Sequence, residues 1–542
     1  MPSWRRLWWR LGGLPSSRVL LVLVIAFSGW ILADVLVLRL TSGLARSTYD
    51  AMVRARLVSA PADPRIVIVD IDEASLARMG KEFGRWPWPR DTLATALRYL
   101  ETQQPLAIVW DVLFTDADRI SPGGDAALDA AVAAGTRSHF SVVRLPAAND
   151  LVSQVTRTDL PGLWLESAGG RPGTTVALIP PVLPAVAASP LGYSNGYADV
   201  DGVIRRYRYA EPLPDGGVIK SLPLSVLERV DPKAAARWVA DSLDNGQPVD
   251  RLISWRYGVG AYRRVPFADL FAVAEGGRGT SDLPDFRGGI VVIGSTAPAL
   301  HDIHPTPLSP IHPGVEVLAT AIDNAIHERE VGELPRWGQA LIAMAICALL
   351  ALALQFRSVA SVDPNLLLVG LPILLMAIGW VSLQVSPIFL DLQLPAGLVL
   401  LFLGLARYWI GLRRDYWCSE PPGSGSMVVW PLQRERPWTD TSIDRMIQAL
   451  EQHAPHCRVV VLDVTASWPR RLRWPELACH AAIAGPAQEL RAAQTALKDA
   501  VRQLVRTDAP LLEVPPGRPR EELAATTLWG WAIQQKSAKR TQ

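Results

Sequence analysis

Cysteine is scarce. The 542-residue chain has four, at Cys347, Cys418, Cys457 and Cys479, and none earlier. That excludes a disulfide scaffold, and no CxxC pair or Cys/His box is present to hold a structural zinc. A long thiol-free stretch is indifferent to redox chemistry, which suits an oxidising compartment. Net charge is scarce too: 54 basic against 52 acidic residues leave +2, so overall charge does not make the chain a polyanion binder. Catalytic signatures are missing, with no Walker motif, kinase histidine box, dinucleotide-cyclase signature or GxSxG elbow. Apolar residues, by contrast, are plentiful. They make up 49% of the chain against 20% charged, which excludes a largely disordered protein. The mean hydropathy is +0.17, and the 20 Trp are of a type that gathers at membrane interfaces.

A membrane crossing needs about 20 mostly apolar residues. Four runs qualify, at 19–39, 338–356, 365–384 and 387–412. Residues 1–18 before the first are basic and aromatic (Trp4, Arg5, Arg6, Trp8, Trp9, Arg10, Arg18), which places them in the cytoplasm by the positive-inside rule. Arg357 lies between the second and third runs, and Arg407, Arg413 and Arg414 lie near the end of the fourth, giving the same side again. Ile31-Leu32-Ala33 offers a signal-peptide cleavage site as a rival reading, but the apolar run outlasts a usual signal core, so an uncleaved anchor is expected. Asp391, near the start of the last run, falls where an outward loop hydrates it. The expected organisation is an extracytoplasmic domain over 40–335, a cytoplasmic tail over 413–542, and a multi-pass protein of a bacterial inner membrane. Spans with almost no internal charge offer no ion path, which sets aside a channel or transporter.

Within 40–335, β-rich runs alternate with helical patterns. RIVIVDID (65–72), PLAIVWDVLF (105–114) and GGIVVIGST (288–296) read as buried strands, with HFSVVRL and TTVALIP as further strands. A helix is expected from Asp91 to Leu100, with Leu93, Leu97 and Leu100 on one face. Such alternation predicts an α/β domain with a mostly parallel sheet covered on both faces. In open α/β sheets ligands gather beyond the carboxyl ends of the strands. Those ends carry Asp70, Asp72 and Glu73, then Asp111, then Ser295 and Thr296, with His301, Asp302, His304 and Thr306 following closely. The same residues can equally serve as helix caps and turn closers.

Several motifs are spread over this segment: YDAMVRARL, IVIVDIDEASL, Gly84-Arg85-Trp86-Pro87-Trp88-Pro89-Arg90, the strand with Asp111 and Phe114, GYSNGYADVDGVIRRYRY, FRGGIVVIGSTAPALHD and TPLSPIHPGVEVLATAIDN. In order and spacing, residues 49–330 resemble the type-2 CHASE domain, the cyclase- and histidine-kinase-associated sensory extracellular domain of bacteria. The resemblance implies a receptor that passes an external signal to a cytoplasmic output; it supplies no catalytic residue and no ligand.

The motifs also have a direct physical reading. Each Pro of the Trp86–Pro89 strap stiffens itself and its predecessor, so Arg90 is presented to a carboxylate such as Asp72, to an anionic ligand, or to an internal ion pair. Asp199-Val200-Asp201-Gly202 suits a tight turn better than a calcium loop, because too few oxygen donors follow. Pro313–Glu316 opens a helix running through Asn324. His301, Asp302, His304 and His312 have zinc-compatible chemistry, but Pro305, Pro307 and Pro310 interrupt them and no HExxH spacing exists, so no metal or cofactor is expected. Candidate ligand-binding residues are therefore Asp70, Asp72, Arg90, Asp111, Thr296 and Asp302.

The tail reads as a small α/β unit after the flexible linker 419–426: strands at MVVWPL and CRVVVLDVT, helices over 441–452, 487–505 and 520–535. Asp463 ends a strand but lacks the acidic neighbours of a phosphoacceptor. Trp468, Arg470, Arg471, Arg473 and Trp474 suit a solvated loop, or contact with lipid headgroups or nucleic acid. Taken whole, the sequence predicts a non-enzymatic receptor for a small-molecule or protein ligand, signalling through a cytoplasmic protein docked on the tail, with homodimer formation as a ready transmission route and no nucleic-acid partner. Two alternatives stand beside it: a periplasmic metal-dependent hydrolase built on Asp70, Asp72, Asp111 and Asp302, and a non-sensing envelope scaffold.

Overall fold

A computed structural model describes residues 13–14, 16–165, 171, 173–244, 246–256, 258–356, 364–386, 388–418, 426–434, 438, 440–461, 479–501, 509–514, 527–528 and 530–531. The basic flank 1–12, Arg357, the linker 419–425, Asp463, the arginine string 468–474 and most of the helix expected over 520–535 lie outside the described residues. The chain divides into two compact units, one of residues 41–335 with 377–391, the other of the remaining segments.

The first helix, α1 (Ser16–Ala33), continues as a π-turn to Leu38 and closes at Arg39 with φ +52°. Asp34 inside this run turns its Oδ1 to the Leu40 N–H, 2.8 Å away, satisfying an end that an apolar residue would leave open.

The large unit starts with α2 (Ser42–Arg54). Its main sheet uses β1 (Ile66–Asp70), β2 (Ala107–Trp110), β3 (Ser138–Arg144), β4 (Leu178–Ile179) and β5 (Leu191–Tyr193). Interleaved are α3 (Glu73–Phe83), α4 (Arg90–Thr102) and α5 (Gly124–Ala134). Then follow β6 (Arg206–Arg208), α6 (Leu222–Val230), β7 (Asp250–Ile253), β8 (Arg263–Pro266), α7 (Phe267–Ala274), β9 (Ile290–Gly294) and α8 (Gly314–Ile326). Strand order is β8-β1-β9-β2-β3, with β5 parallel beside β3 and only β4 antiparallel. The strand expected last in the series thus sits in the middle: β9 is inserted between β1 and β2, and Ile293 lies opposite Val69 on one side and Trp110 on the other.

Every residue of β1, β2 and β9 is buried, which is why these strands lack polar alternation. One face carries Val67, Val69, Trp110 and Ile293 against Leu93, Leu97 and Leu100 of α4 and Phe267 of α7. The other carries Ile68, Val109 and Val292 against Leu222 and Val226 of α6 and Leu318 and Ile322 of α8. At about 1.5–3 kcal/mol per large apolar side chain removed from water, these two layers are the main source of the domain's stability.

A second sheet joins β6 and β7 to β10 (Glu330–Glu333), in the order β10-β7-β6. After α9 (Arg336–Phe356) and α10 (Pro364–Val385) comes β11 (Ile388–Phe389), which pairs parallel with β10. Residues 388–389 are therefore strand, not the opening of a span as the apolar run 387–412 implied. The helix there, α11, runs from Gln393 to Trp417, past Leu412. By length and composition four helices suffice to cross a membrane: Ser17–Leu38, Arg336–Gln355, Leu367–Val385 and Gln393–Trp417. Where α9 is buried it presents Ala340, Ala343, Cys347 and Ala351, small side chains that let helix backbones approach closely. Phe27 of α1 meets Phe402 of α11 edge-on at 5.6 Å.

The tail contains β12 (Met427–Gln433), α12 (Asp440–His453), β13 (Arg458–Val461), β14 (His480–Pro486), α13 (Ala487–Val501) and β15 (Leu512–Glu513). Its sheet is antiparallel, in the order β13-β14-β12-β15. The central β14 has the sequence HAAIAGP, whose run of alanines carries weak strand propensity and escaped the sequence reading.

Candidate functional site

The carboxyl ends of β1, β9 and β2 lie side by side, and the order of those strands decides which polar residues meet. Asp70 closes β1 and is 3% exposed. Across from it, just past the end of β9, Thr296 donates to it from the backbone N–H (2.9 Å) and from Oγ1 (2.7 Å). Arg264 of β8 stands 3.9 Å from the same carboxylate. Burial, with the charge of Asp72 adding to it, raises the pKa of Asp70; the Thr296 hydrogen bonds and Arg264 oppose that rise. The turn after β9 is held by Ser295, whose Oγ donates to the Ile71 carbonyl at 2.9 Å.

Arg264 also pairs with Glu316 on the first turn of α8. The Glu316 carboxylate further accepts the Gly260 N–H (3.0 and 2.9 Å) and lies 3.3 Å from His312 Nε2. Burial first, then the nearby charges of Arg264 and His304, lower the His312 pKa to about 4. A neutral ring that donates from Nε2 to Glu316 and accepts from Thr306 Oγ1 at Nδ1 (3.0 Å) accounts for both contacts.

Asp111, immediately after β2, differs from Asp70. Its N–H donates to the Ile293 carbonyl at 2.8 Å, but among the described residues its carboxyl receives no hydrogen bond. The carboxyl keeps some solvent access although protein atoms crowd it. That crowding, with the charge of Asp302, pushes its pKa up to about 7, and His304 opposes the rise. His304 Nε2 is 3.2 Å from Asp302 Oδ1, the two side chains being 42% and 40% exposed. That hydrogen bond raises the His304 pKa. A Cβ on Gly314 would lie 2.3 Å from Asp302 Oδ1, so only glycine lets the carboxylate rest against the N-terminus of α8. On β6, the Tyr207 hydroxyl is buried without a hydrogen-bond partner, and burial first, then Tyr209 and the charge of Asp111, raise its pKa.

Of the six candidates, then, Asp70, Thr296, Asp111 and Asp302 share this rim, while Asp72 and Arg90 are engaged in a helix cap and an internal ion pair. Asp72 caps α3, accepting the Ser75 N–H at 2.7 Å. Arg90 does not face Asp72: its guanidinium pairs with Asp125 of α5 and the Asp116 carbonyl, its N–H donates to Asp118 at 2.8 Å, and it lies 5.5 Å over Phe114. The Trp86–Pro89 strap is packing, with Trp88 buried against Phe267. A cation held jointly by Asp70, Asp72, Asp111 and Asp302 does not match this geometry, and among the described residues no three His, Cys, Asp or Glu side chains converge as metal ligands.

Asp199 and Asp201 face Arg205 rather than a cation. Arg205, 2% exposed, meets Asp50 at 2.8 and 2.7 Å, Asp199 at 2.8 Å and Asp201 at 2.9 Å. Gly202 takes φ +81° to turn the chain there. Arg264 and Tyr207 were missed by sequence reasoning. The Arg206-Tyr207-Arg208-Tyr209 alternation carried a signal, since period two puts the tyrosines on one face of a strand.

The family model of the CHASE2 domain matches residues 19–354. No curated protein and no solved structure matches the chain. The match takes in the whole rim, and on this ground the chain belongs to the CHASE2 domain family, a family of extracytoplasmic sensory domains.

Proposed function

We propose that the protein is a transmembrane receptor without an enzymatic step of its own: its large domain meets a ligand outside the inner membrane, its four apolar helices cross that membrane, and its tail docks a cytoplasmic signalling protein. The observation that carries the reading is the way α11 ends. Its last turn is part of the tail: Trp417 is 3% exposed within the tail core. Arg413 pairs with Glu451 (2.8 Å) and Arg414 with Asp444 (2.7 Å), both carboxylates on α12. The Arg458 guanidinium lies 4.5 Å over Tyr416 and 5.0 Å over Trp417. A shift or rotation of α11 is passed to the tail through the buried Trp417 and the two ion pairs to α12. A receptor dimer gives such a movement a fixed reference.

The test is topological, then functional. In a full-length chain with its four cysteines replaced by alanine, Leu151→Cys (Leu151 is 95% exposed) is expected to react with a membrane-impermeant maleimide on intact spheroplasts, and His456→Cys only after permeabilisation. The opposite pattern overturns the reading. So does an unchanged cellular response after the Arg413 and Arg414 ion pairs are removed together.

A further inference from the structure

We infer that α2, with Leu57 and Val58 beyond its last turn, rests in the outer leaflet of a phospholipid bilayer; the inference rests on the membrane-crossing part of the receptor reading and adds a lipid surface as a partner of the large domain. The first observation is where α2 is tied down. Residues 377–391, the last turns of α10 with β11, belong to the same compact unit as α2. A Cβ on Gly379 would lie 3.6 Å from Met52 Cε, and Tyr49 meets Phe389 edge-on at 5.0 Å. Gln384 Oε1 accepts the N–H of Leu57 (2.9 Å) and that of Val58 (3.2 Å). The apolar run of α10 closes at Val385, next to that glutamine. Leu57 and Val58 therefore stand at the level where α10 leaves the hydrocarbon. The other end of α2, Ser42, comes just after the apolar run Ser17–Leu38. A helix of 13 residues, about 20 Å long, that starts at one such boundary and ends at another on the same side lies along the surface rather than standing on it.

The second observation is what α2 leaves uncovered. Its buried side carries Tyr49, Asp50, Met52 and Val53. Its exposed side carries Leu44, Ser47 and Ala51 at helical spacing and continues into Ala55. That side has no charge, whereas a helix face turned to water ordinarily carries charged residues. Leu44 is 61% exposed, Leu57 70% and Val58 62%. Apolar side chains exposed singly are ordinary on a protein surface; a run of them on an uncharged helix face beside the end of an apolar helix is what a lipid surface covers. The exposed residues Val381 and Val385 of α10 are apolar too, so the surface to be covered is continuous from α10 to Leu57. Arg54, exposed at the edge of this face, spends Nη1 on the Pro307 carbonyl at 3.2 Å, and a guanidinium at that depth suits the headgroup phosphates just above the acyl chains.

The seat is fastened to the sensory domain from its buried side. Asp50 of α2 accepts from Arg205 at 2.8 and 2.7 Å, and Arg206, the first residue of β6, holds Glu333 of β10. A change in how deeply α2 sits in the leaflet is thus carried through one ion pair to β6 and through the next to β10.

The test uses the full-length protein, its four cysteines replaced by alanine, in phosphatidylcholine nanodiscs. Leu44→Cys, Leu57→Cys, Val58→Cys and, as a reference in water, Leu151→Cys each carry a nitroxide. Spin-label power saturation then reads collisions with oxygen, which concentrates in acyl chains, and with a neutral nickel chelate, which stays in water. The oxygen-to-nickel ratio at Leu44, Leu57 and Val58 is expected to exceed that at Leu151 several-fold. Ratios equal to the Leu151 value overturn the inference, because the face is then in water. Low collision rates with both reagents overturn it as well, because a protein surface or a second copy then covers the face. A raised ratio at Leu57 and Val58 with Leu44 at the Leu151 value overturns the lengthwise placement of α2. Leu57 and Val58 adjoin, so if one labelled variant loses the parent's thermal unfolding transition the other decides. If the ratios match water while the maleimide pattern stands, the lipid seat falls and the receptor reading survives; a reversed maleimide pattern removes the receptor reading whatever the ratios.

Discussion

Two clusters in the large domain are made of the same materials and reach opposite states. Around Arg205 three carboxylates surround one buried guanidinium, and its Nε, Nη1 and Nη2 all have carboxylate partners within 2.9 Å. At the carboxyl end of β2 and beyond β9 the bonds are fewer: His304 meets Asp302 at 3.2 Å, and the Asp111 carboxyl receives no hydrogen bond among the described residues. The first cluster is complete; nothing can enter it without breaking an ion pair. The second is short of donors, and any donor from outside improves it. Burial and charge alone do not distinguish structural acids from receptive ones: the count of satisfied hydrogen-bonding groups does.

Breaking the complete cluster is expected to have the largest effect. Arg205→Met strips Asp50, Asp199 and Asp201 of their shared cation and should cost about 3–5 kcal/mol, the usual penalty for leaving buried charges uncompensated. Thermal unfolding of the purified full-length protein measures it. The Arg205 hydrogen bond holds Asp201 below the usual carboxylate range, so in the wild type this contribution is present above that range and lost as pH falls. In the variant that part of the acid sensitivity should disappear.

Thr296→Val probes an acid on the rim that is satisfied. It removes the 2.7 Å hydroxyl bond to Asp70 but keeps the 2.9 Å backbone bond, and should cost about 1–2 kcal/mol. Asp72→Ala removes a helix cap only. About 1 kcal/mol is expected, measured the same way.

The boundary between these classes was partly legible in the sequence. Strand ends in a parallel sheet point to one rim, and that argument alone selected Asp70, Asp111, Thr296 and Asp302. The insertion of β9 between β1 and β2 was not legible, because pairing order between buried apolar strands leaves no trace in any one of them. Without that order, Thr296 has no evident reason to bond Asp70. For Arg90 the internal ion pair, one of the three readings the strap allowed, is the one formed, but its partner was not legible: a stiff strap fixes where an arginine starts, whereas Asp125 comes from a helix 35 positions along the chain. Tyr207 was visible only as one letter of an alternating run. That its buried hydroxyl lacks a hydrogen-bond partner depends on what the fold packs around it, which the alternation does not record.

The finest test of the contrast is Asp111→Asn, since it alters a carboxyl that no donor among the described residues supports. Because the folded state raises this pKa to about 7, it holds a proton between pH about 4 and 7 that the unfolded chain has released. The contribution of Asp111 to stability is thus fully present at the acid end and declines as pH rises through that window. An amide cannot ionise, so the variant escapes the decline. At pH about 4 the two proteins should unfold within about half a kcal/mol of each other, and by pH about 8 the variant should be the more stable by up to about 4 kcal/mol, each pKa unit being worth about 1.4 kcal/mol. His139 and His312, kept neutral by burial, give stability that is lost as pH falls, but both proteins share it and it cancels in the difference. A variant that is less stable than wild type at alkaline pH would mean that the Asp111 carboxylate has a donor after all, and the contrast with Arg205 would collapse.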